Sequence, residues 1–472
     1  MGSFIYGLAV ALLLFEGIII QCEGAGDGGA GDSMSSNRIQ DAATIATKEA
    51  QIHLSNDKFE EIVKEFDSET VLKDDPVISN ILQHHRVQIT SWDQPTSRET
   101  VYENYYGGDL FLRFADYERL GSFFEKFGDK VRKIEYEHRP NVANDRYKEI
   151  KEKFFKNYSN TLEELRIFAY DNLDFWEGIL RKENIRFPNV KKLEFRCKEQ
   201  PINFQLNTVF PNLEIFEQSR YIYNVHCLKD ISTLRELALD ASKIKEDQLK
   251  PIFVKNPNIV KIRLYEPDRV NTMHSIATHL KNLETLELED PDKDFLLQED
   301  NILNRLRKKP VLQSVKHFHI EFSSIKTFGS GNHSFVMPSL KTLTLNGIQV
   351  DDGITNFINN FNNLDKLELF VRTCNTLKYI AKLKHVTECT TNFYKRAISV
   401  EEMMEISNKN PKLQVLKFVN VNDPRCQNYE NTMKTTNDLL GKRTWTISHE
   451  NEIGRREKSL VFRRDPERAN LE

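Results

Sequence analysis

The sequence predicts an α/β solenoid, with short parallel strands stacked into one curved sheet on the concave side and helices and irregular segments on the convex side. Two observations predict it. The apolar phrase Leu-x-x-Leu-x-Leu returns along the chain, and the stretches between its copies carry helical periodicity closed by Pro and Asn. A phrase that recurs at such intervals builds a stack of like turns, because one turn alone cannot cover its own apolar face.

Clear copies are Leu162–Leu165–Ile167, Val190–Leu193–Phe195, Leu234–Leu237–Leu239, Ile259–Ile262–Leu264, Leu283–Leu286–Leu288, Leu340–Leu343–Leu345, Leu364–Leu367–Leu369 and Leu413–Leu416–Phe418. Weaker copies sit at Val131–Ile134–Tyr136, Leu213–Phe216–Gln218, Val315–Phe318–Ile320 and Leu383–Val386. The last two positions of each full phrase alternate at period two, so both side chains leave one face of a strand. Parallel stacking at about 4.8 Å per strand makes their apolar faces one interior, roughly 50 Å long for twelve copies.

Parallel neighbours need a crossover of about a dozen residues, usually helical. Ile244, Leu249, Ile252 and Phe253 recur at helical intervals and stop at Asn256-Pro257-Asn258; Ile348 to Ile358 repeats the pattern and closes at Asn359 to Asn363. Ser399-Val-Glu-Glu402 reads as a capping box, with Met403, Met404 and Ile406 facing inward. Pro188, Pro211, Pro257 and Pro411 fall between crossover and strand, where a missing N–H costs least.

On these residues the chain resembles the leucine-rich repeat family over 131–418, reaching back to about 87. Within it the chain is similar to the helix-bearing ribonuclease-inhibitor-like and F-box-type proteins, a likeness carried by the Leu239 and Leu345 turns with their Asp-containing helix starts. One feature departs. After the third leucine and two further residues the family places Asn or Cys; here those positions hold Tyr170, Lys198, Tyr221, Ser242, Pro267, Pro291, Ser323, Ile348, Arg372 and Val421. Without that buried ladder an irregular, less rigid solenoid is expected.

Domain boundaries follow from composition. Residues 1–24 read as a signal peptide: Phe4 to Ile20 is apolar apart from Glu16-Gly17, and Cys22-Glu23-Gly24 offers small residues for cleavage after Gly24. An uncleaved anchor is the alternative; no second apolar stretch follows, so no stable membrane insertion of the mature chain is expected. Residues 25–52 form a flexible leader and the start of an N-terminal helical region. Residues 53–130 form an N-terminal cap, with Phe59, Ile62, Val63 and Phe66 on one helix face and Val87-x-Ile89 and Leu110-x-Leu112 as degenerate first strands. The solenoid spans 131–440. Residues 441–472 form a cap, with Thr444 to Ile447 and Leu460 to Phe462 as a hairpin around Asn451 to Gly454, then a charged tail.

Composition excludes several functions. The chain carries 66 basic and 70 acidic side chains; removing residues 1–24 deletes Glu16 and Glu23 and no base, so a net charge of −4 becomes −2. That balance leaves no footprint for nucleic acid. No Gly-x-Ser-x-Gly, phosphate-binding Gly loop, His-Glu-x-x-His or Cys-x-x-Cys occurs, so no enzyme and no cofactor are expected. His317, His319 and Glu321 share one strand face, but alternate positions lie roughly 7 Å apart, too far for easy chelation, and read as exposed polar groups. Five cysteines follow the cleavage site: Cys197, Cys227, Cys374, Cys389 and Cys426. Candidate disulfides between neighbouring turns are Cys197–Cys227, Cys374–Cys389 and Cys389–Cys426, with one thiol left over. Asn157-Tyr-Ser159 and Asn332-His-Ser334 are glycosylation sequons in inter-strand segments.

The positions between the leucines point out of the sheet. The candidate binding surface is Arg166, Phe168, Glu194, Arg196, Arg263, Tyr265, Glu287, His319, Glu321, Glu368 and Phe370, a charged set with the aromatic and Arg anchors typical of interfaces. The expected function is a secreted, extracellular binding protein that recognises a macromolecular partner, a protein, through this face. The alternative implied by the resemblance is an intracellular F-box-like adaptor of a ubiquitin ligase, although residues 53–86 lack the Leu-Pro start of that motif.

Overall fold

The computed structural model describes residues 87–90, 110–113, 124–125, 127–138, 153–169, 185–197, 205–218, 225–242, 244–267, 270–291, 296–298, 309–326, 332–371, 377–392, 405–406, 408–419, 445–451 and 458–464. The expected signal segment (1–24), leader (25–52) and Ser399–Glu402 capping box lie outside them. The strands are β1 (Val87–Thr90), β2 (Leu110–Arg113), β3 (Lys133–His138), β4 (Glu164–Ala169), β5 (Lys192–Cys197), β6 (Ile215–Gln218), β7 (Glu236–Asp240), β8 (Lys261–Tyr265) and β9 (Thr285–Glu289). Then follow β10 (Leu297–Gln298), β11 (His317–Lys326), β12 (Asn332–His333), β13 (Thr342–Ile348), β14 (Lys366–Val371), β15 (Glu388–Asn392), β16 (Val415–Val419), β17 (Trp445–Asn451) and β18 (Lys458–Arg464).

Sixteen strands form one sheet, in chain order except that β10 and β12 leave it to pair with each other and β18 sits between β16 and β17. Within that sheet every pairing from β1 through β16 is parallel, whereas β16–β18, β17–β18 and the separate β10–β12 pair are antiparallel. A long, mostly parallel sheet with few helices is what stacked leucine-rich turns produce. Among the described residues the α-helices include α1 (Leu206–Val209), α2 (Glu246–Lys255), α3 (Val270–His279), α4 (Asp352–Asn359) and α5 (Leu377–Ile380). The Asp351 side chain accepts from the Ile354 N–H at 2.8 Å to cap α4.

The leucines form three buried columns. First positions are buried in every turn from Val131 to Leu413. Second positions run in register as Ile134, Leu165, Leu193, Phe216, Leu237, Ile262, Leu286, Phe318, Leu343, Leu367, Cys389 and Leu416, all buried. The third column is apolar except at Gln218 and Thr391. The buried apolar side chains of the three columns belong to one hydrophobic cluster.

The register corrects one repeat. Cys389 lies opposite Leu367 and Leu416, and Thr391 opposite Leu369 and Phe418. The phrase is therefore Val386–Cys389–Thr391, three residues later than the sequence spacing suggests. Three residues before each first leucine is another inward position, held by Phe187, Phe210, Leu280, Met337 and Phe361, all buried. Leu383 occupies that position and, with Val386, imitates the start of a phrase.

A carbonyl ladder makes the turns equivalent. The Arg132 carbonyl accepts both Glu163 and Glu164 N–H groups, Glu163 accepts Lys191 and Lys192, and the pattern repeats turn by turn until Thr387 accepts Gln414 and Val415. The side-chain ladder absent after the third leucine is replaced at the other end of the strand. The residue before the first leucine reaches back one turn: Asn212 Nδ2 donates to the Pro188 carbonyl at 2.9 Å, Ser314 Oγ to Leu283 at 2.8 Å and Asn363 Nδ2 to Pro338 at 2.7 Å. Asn256 adds a buried tie. Its Nδ2 donates to the Ile231 and Ile252 carbonyls, each at 2.9 Å, and its Oδ1 accepts the Leu234 N–H at 3.0 Å.

Cys227 and Cys389 are free thiols buried in the core. The Cys197–Cys227, Cys374–Cys389 and Cys389–Cys426 pairings are thereby all excluded. Cys389 fills a leucine position on its strand, and Cys227 points into the cluster from a single 3₁₀ turn, His226–Leu228. Burial pushes the Cys227 thiol up to about 12 and raises Cys389 as well, with the Glu388 charge adding to the second. Both behave as small apolar groups.

Candidate binding face

The strand face opposite the leucine columns carries three rows of side chains in register. The central row reads Glu135, Arg166, Glu194, Glu217, Ala238, Arg263, Glu287, His319, Thr344, Glu368, Thr390 and Lys417. The row towards the strand ends places Phe168 beside Arg196, and Asp240, Tyr265, Glu289, Glu321, Asn346 and Phe370 in sequence. Parallel strands hold such neighbours about 4.8 Å apart, so each row is a continuous strip.

Cross-strand ion pairs organise the strips. Arg166 lies within 3.7 Å of Glu135 and 3.6 Å of Glu194 on the strands to either side, and within β5 Arg196 approaches Glu194 at 2.7 Å. Covered by these two guanidiniums, Glu194 is only 6% exposed, so it orders the face from beneath rather than presenting itself. The Arg196 guanidinium also lies 4.8 Å from the Phe168 ring centroid, a cation–π geometry that fixes both groups. Further along, Glu287 is gripped by Lys261 at 2.8 Å and Arg263 at 2.6 Å. Burial works to raise the Glu287 carboxyl, but the Lys261 hydrogen bond and the Arg263 charge outweigh it and hold the group below the usual carboxylate range. Its contribution to stability is present above the unfolded carboxylate value and is lost as pH falls through the lowered folded value. Burial raises the Tyr265 phenol, opposed by its hydrogen bond with Arg263.

Other members of the expected set are half-exposed. His319 Nε2 lies 3.6 Å from Glu321, which also accepts from Asn346 at 3.2 Å. Glu368 accepts from Thr344 Oγ1 at 3.0 Å and pairs with Lys366 at 3.0 Å. Among the described residues no group of three His, Cys, Asp or Glu side chains converges as a metal site would require.

Of the row just before the second leucines, sequence reasoning took only His317. Lys133, Glu164, Lys192, Lys261 and Lys366 share this face with it; the last four bridge to the central row, as Lys192–Glu217 does at 2.9 Å, and Lys133 pairs with Glu164 at 3.3 Å. The same alternation that places the central row places this one. Thr390 was missed because its phrase was set three residues early. Of the two sequons, Asn157 is exposed while Tyr158 packs against the core and Ser159 is buried. Asn332 lies in β12, opposite Gln298, rather than in an irregular segment.

No protein-family model matches the chain, and no curated protein matches it. Among solved structures it is similar to an internalin (inlF) from Listeria monocytogenes, with 12% identity over 64% of this chain and 78% of that one, at a TM-score of 0.31. No helix among the described residues is long and apolar enough to cross a membrane.

Proposed function

We propose that this chain is a secreted leucine-rich repeat protein of the helix-bearing type, non-catalytic, which binds a protein partner through the concave face of its sheet. The observation that carries it is the three-row display of charged and aromatic side chains, held in register over a buried apolar core. Cross-strand pairs such as Arg166–Glu194 and Arg263–Glu287 pre-order long side chains that would otherwise lose rotamer freedom on binding. Phe168, Tyr265 and Phe370 supply apolar area between them. In this reading residues 1–24 direct export, and Asn157 and Asn332 are glycan acceptors.

Two measurements test it. Mass spectrometry of the protein released by cells expressing the full chain is expected to find an N-terminus at Ala25 and glycan on Asn157; a full-length, unglycosylated chain confined to the cytosol overturns secretion. Arg263→Glu is expected to abolish retention of the proteins that the wild-type chain captures. Because Arg263 is exposed and such pairs contribute only about 0–1 kcal/mol, the fold should survive. Unchanged capture by a folded Arg263→Glu variant removes this face from the account.

A further inference from the structure

The stack is not equally tied throughout. Between the β14 and β15 turns, Asn359 Nδ2 donates to the Lys382 carbonyl at 3.1 Å and its Oδ1 accepts the Lys384 N–H at 2.9 Å. Lys382 pairs with Asp352 at 2.6 Å, and Thr387 Oγ1 donates to the Asp365 carbonyl at 2.9 Å. Among the described residues, the side-chain tie between the β15 and β16 turns is much poorer. Asn410 stands three residues before Leu413, as Asn256 stands before Ile259. Where Asn256 makes three good bonds to its surroundings, the Asn410 side chain makes one long contact, 3.5 Å to the Ile380 carbonyl, and its buried Oδ1 has no hydrogen-bond partner.

The leucine pattern also breaks at the same place. Cys389 and Thr391 replace two leucines of the β15 phrase, and the buried Thr391 hydroxyl is also without a partner. An unpaired buried polar group costs about 1–3 kcal/mol, so Asn410 and Thr391 both weaken this junction. Beyond it the C-terminal strands are well bound to one another. Phe418 and Phe462 meet edge to face at 5.8 Å, the Arg464 N–H donates to the Gln414 carbonyl at 2.8 Å, and Arg464 Nη1 donates to the Pro411 carbonyl at 2.6 Å.

We propose that β16, β17 and β18 form a separable C-terminal unit that lifts from β15 while the rest of the stack stays folded, uncovering the edge of β15 and the Cys389 thiol. In a stack where each turn touches only its neighbours, opening can begin at a weakened junction and leaves both sides internally intact. The backbone pairing of β15 with β16 is what the lift breaks.

Two free, fully buried thiols serve as reporters. Cys227 lies in the body and Cys389 beneath the proposed opening, and burial alone predicts equal protection for both. The full chain is exposed to a small thiol-alkylating reagent under native conditions and in low denaturant, with each cysteine followed by peptide mass spectrometry. Cys389 is expected to react at least roughly tenfold faster than Cys227, with a smaller dependence on denaturant, as sub-global opening requires. Thr391→Val, which removes the unpartnered hydroxyl at nearly constant shape, is expected to slow Cys389 severalfold and leave Cys227 unchanged. Equal rates with equal denaturant dependence at the two thiols overturn the proposal. So does a Thr391→Val variant that leaves Cys389 unaltered or shifts both thiols together.

Discussion

Replacing Gly347 with alanine should destabilise the protein by about 3 kcal/mol, counting a left-handed backbone penalty and an overpacking term. Gly347 has φ +74° and sits where the pairing of β13 slips between Asn346 and Ile348. A Cβ there would collide with the Phe322 carbonyl oxygen on β11. Because the colliding atom belongs to backbone, no rotamer change relieves the clash; β11 would have to move, and with it the ends of Glu321 and Asn346 on the candidate face. Chemical denaturation of Gly347→Ala tests this, and a midpoint equal to wild type would show that the bulge tolerates a side chain.

Leu286→Ala is expected to lose about 3 kcal/mol, within the range for large-to-small core substitutions. Leu286 is fully buried and lies between Ile262 and Phe318 in the second leucine column. Its truncation opens a void flanked by both neighbouring turns, neither of which can close in without breaking register with the next strand. Thr285→Ala, one residue away and half-exposed, should stay within about 0.5 kcal/mol of wild type. Thermal unfolding of the pair reads the contrast. Similar losses for both substitutions would mean that these strands do not bury one face.

The leucine columns were legible because period-two alternation and a repeated interval depend only on residue type. Val87-x-Ile89 and Leu110-x-Leu112 could be read as strands on the same ground, even as isolated pairs. Three features were not. The β15 phrase was misplaced because Cys389 and Thr391 stand in for leucines while Leu383, inward-facing for another reason, stood at a tempting distance. The replacement ladder of Asn212, Ser314 and Asn363 escaped notice because hydrogen bonds to backbone carbonyls one turn away leave no apolar pattern. Glu194 was read as a surface anchor, since sequence cannot say that Arg166 and Arg196 close over it. Disulfide pairings failed for a related reason: proximity of turns brings strands together, but which face a cysteine takes is decided by register.

The claim underlying all of this is that consecutive phrases lie side by side in register, and disulfide cross-linking tests it most directly. Arg263 and Glu287 are partners across β8 and β9, so cysteines at both positions would place Cα atoms about 4.8 Å apart, within disulfide reach. The double variant Arg263→Cys/Glu287→Cys should join under mild oxidation, as read by mass spectrometry of linked peptides, while Arg263→Cys/Glu289→Cys should not. Efficient linkage of the offset pair, or none in the aligned pair, would contradict the stacked arrangement.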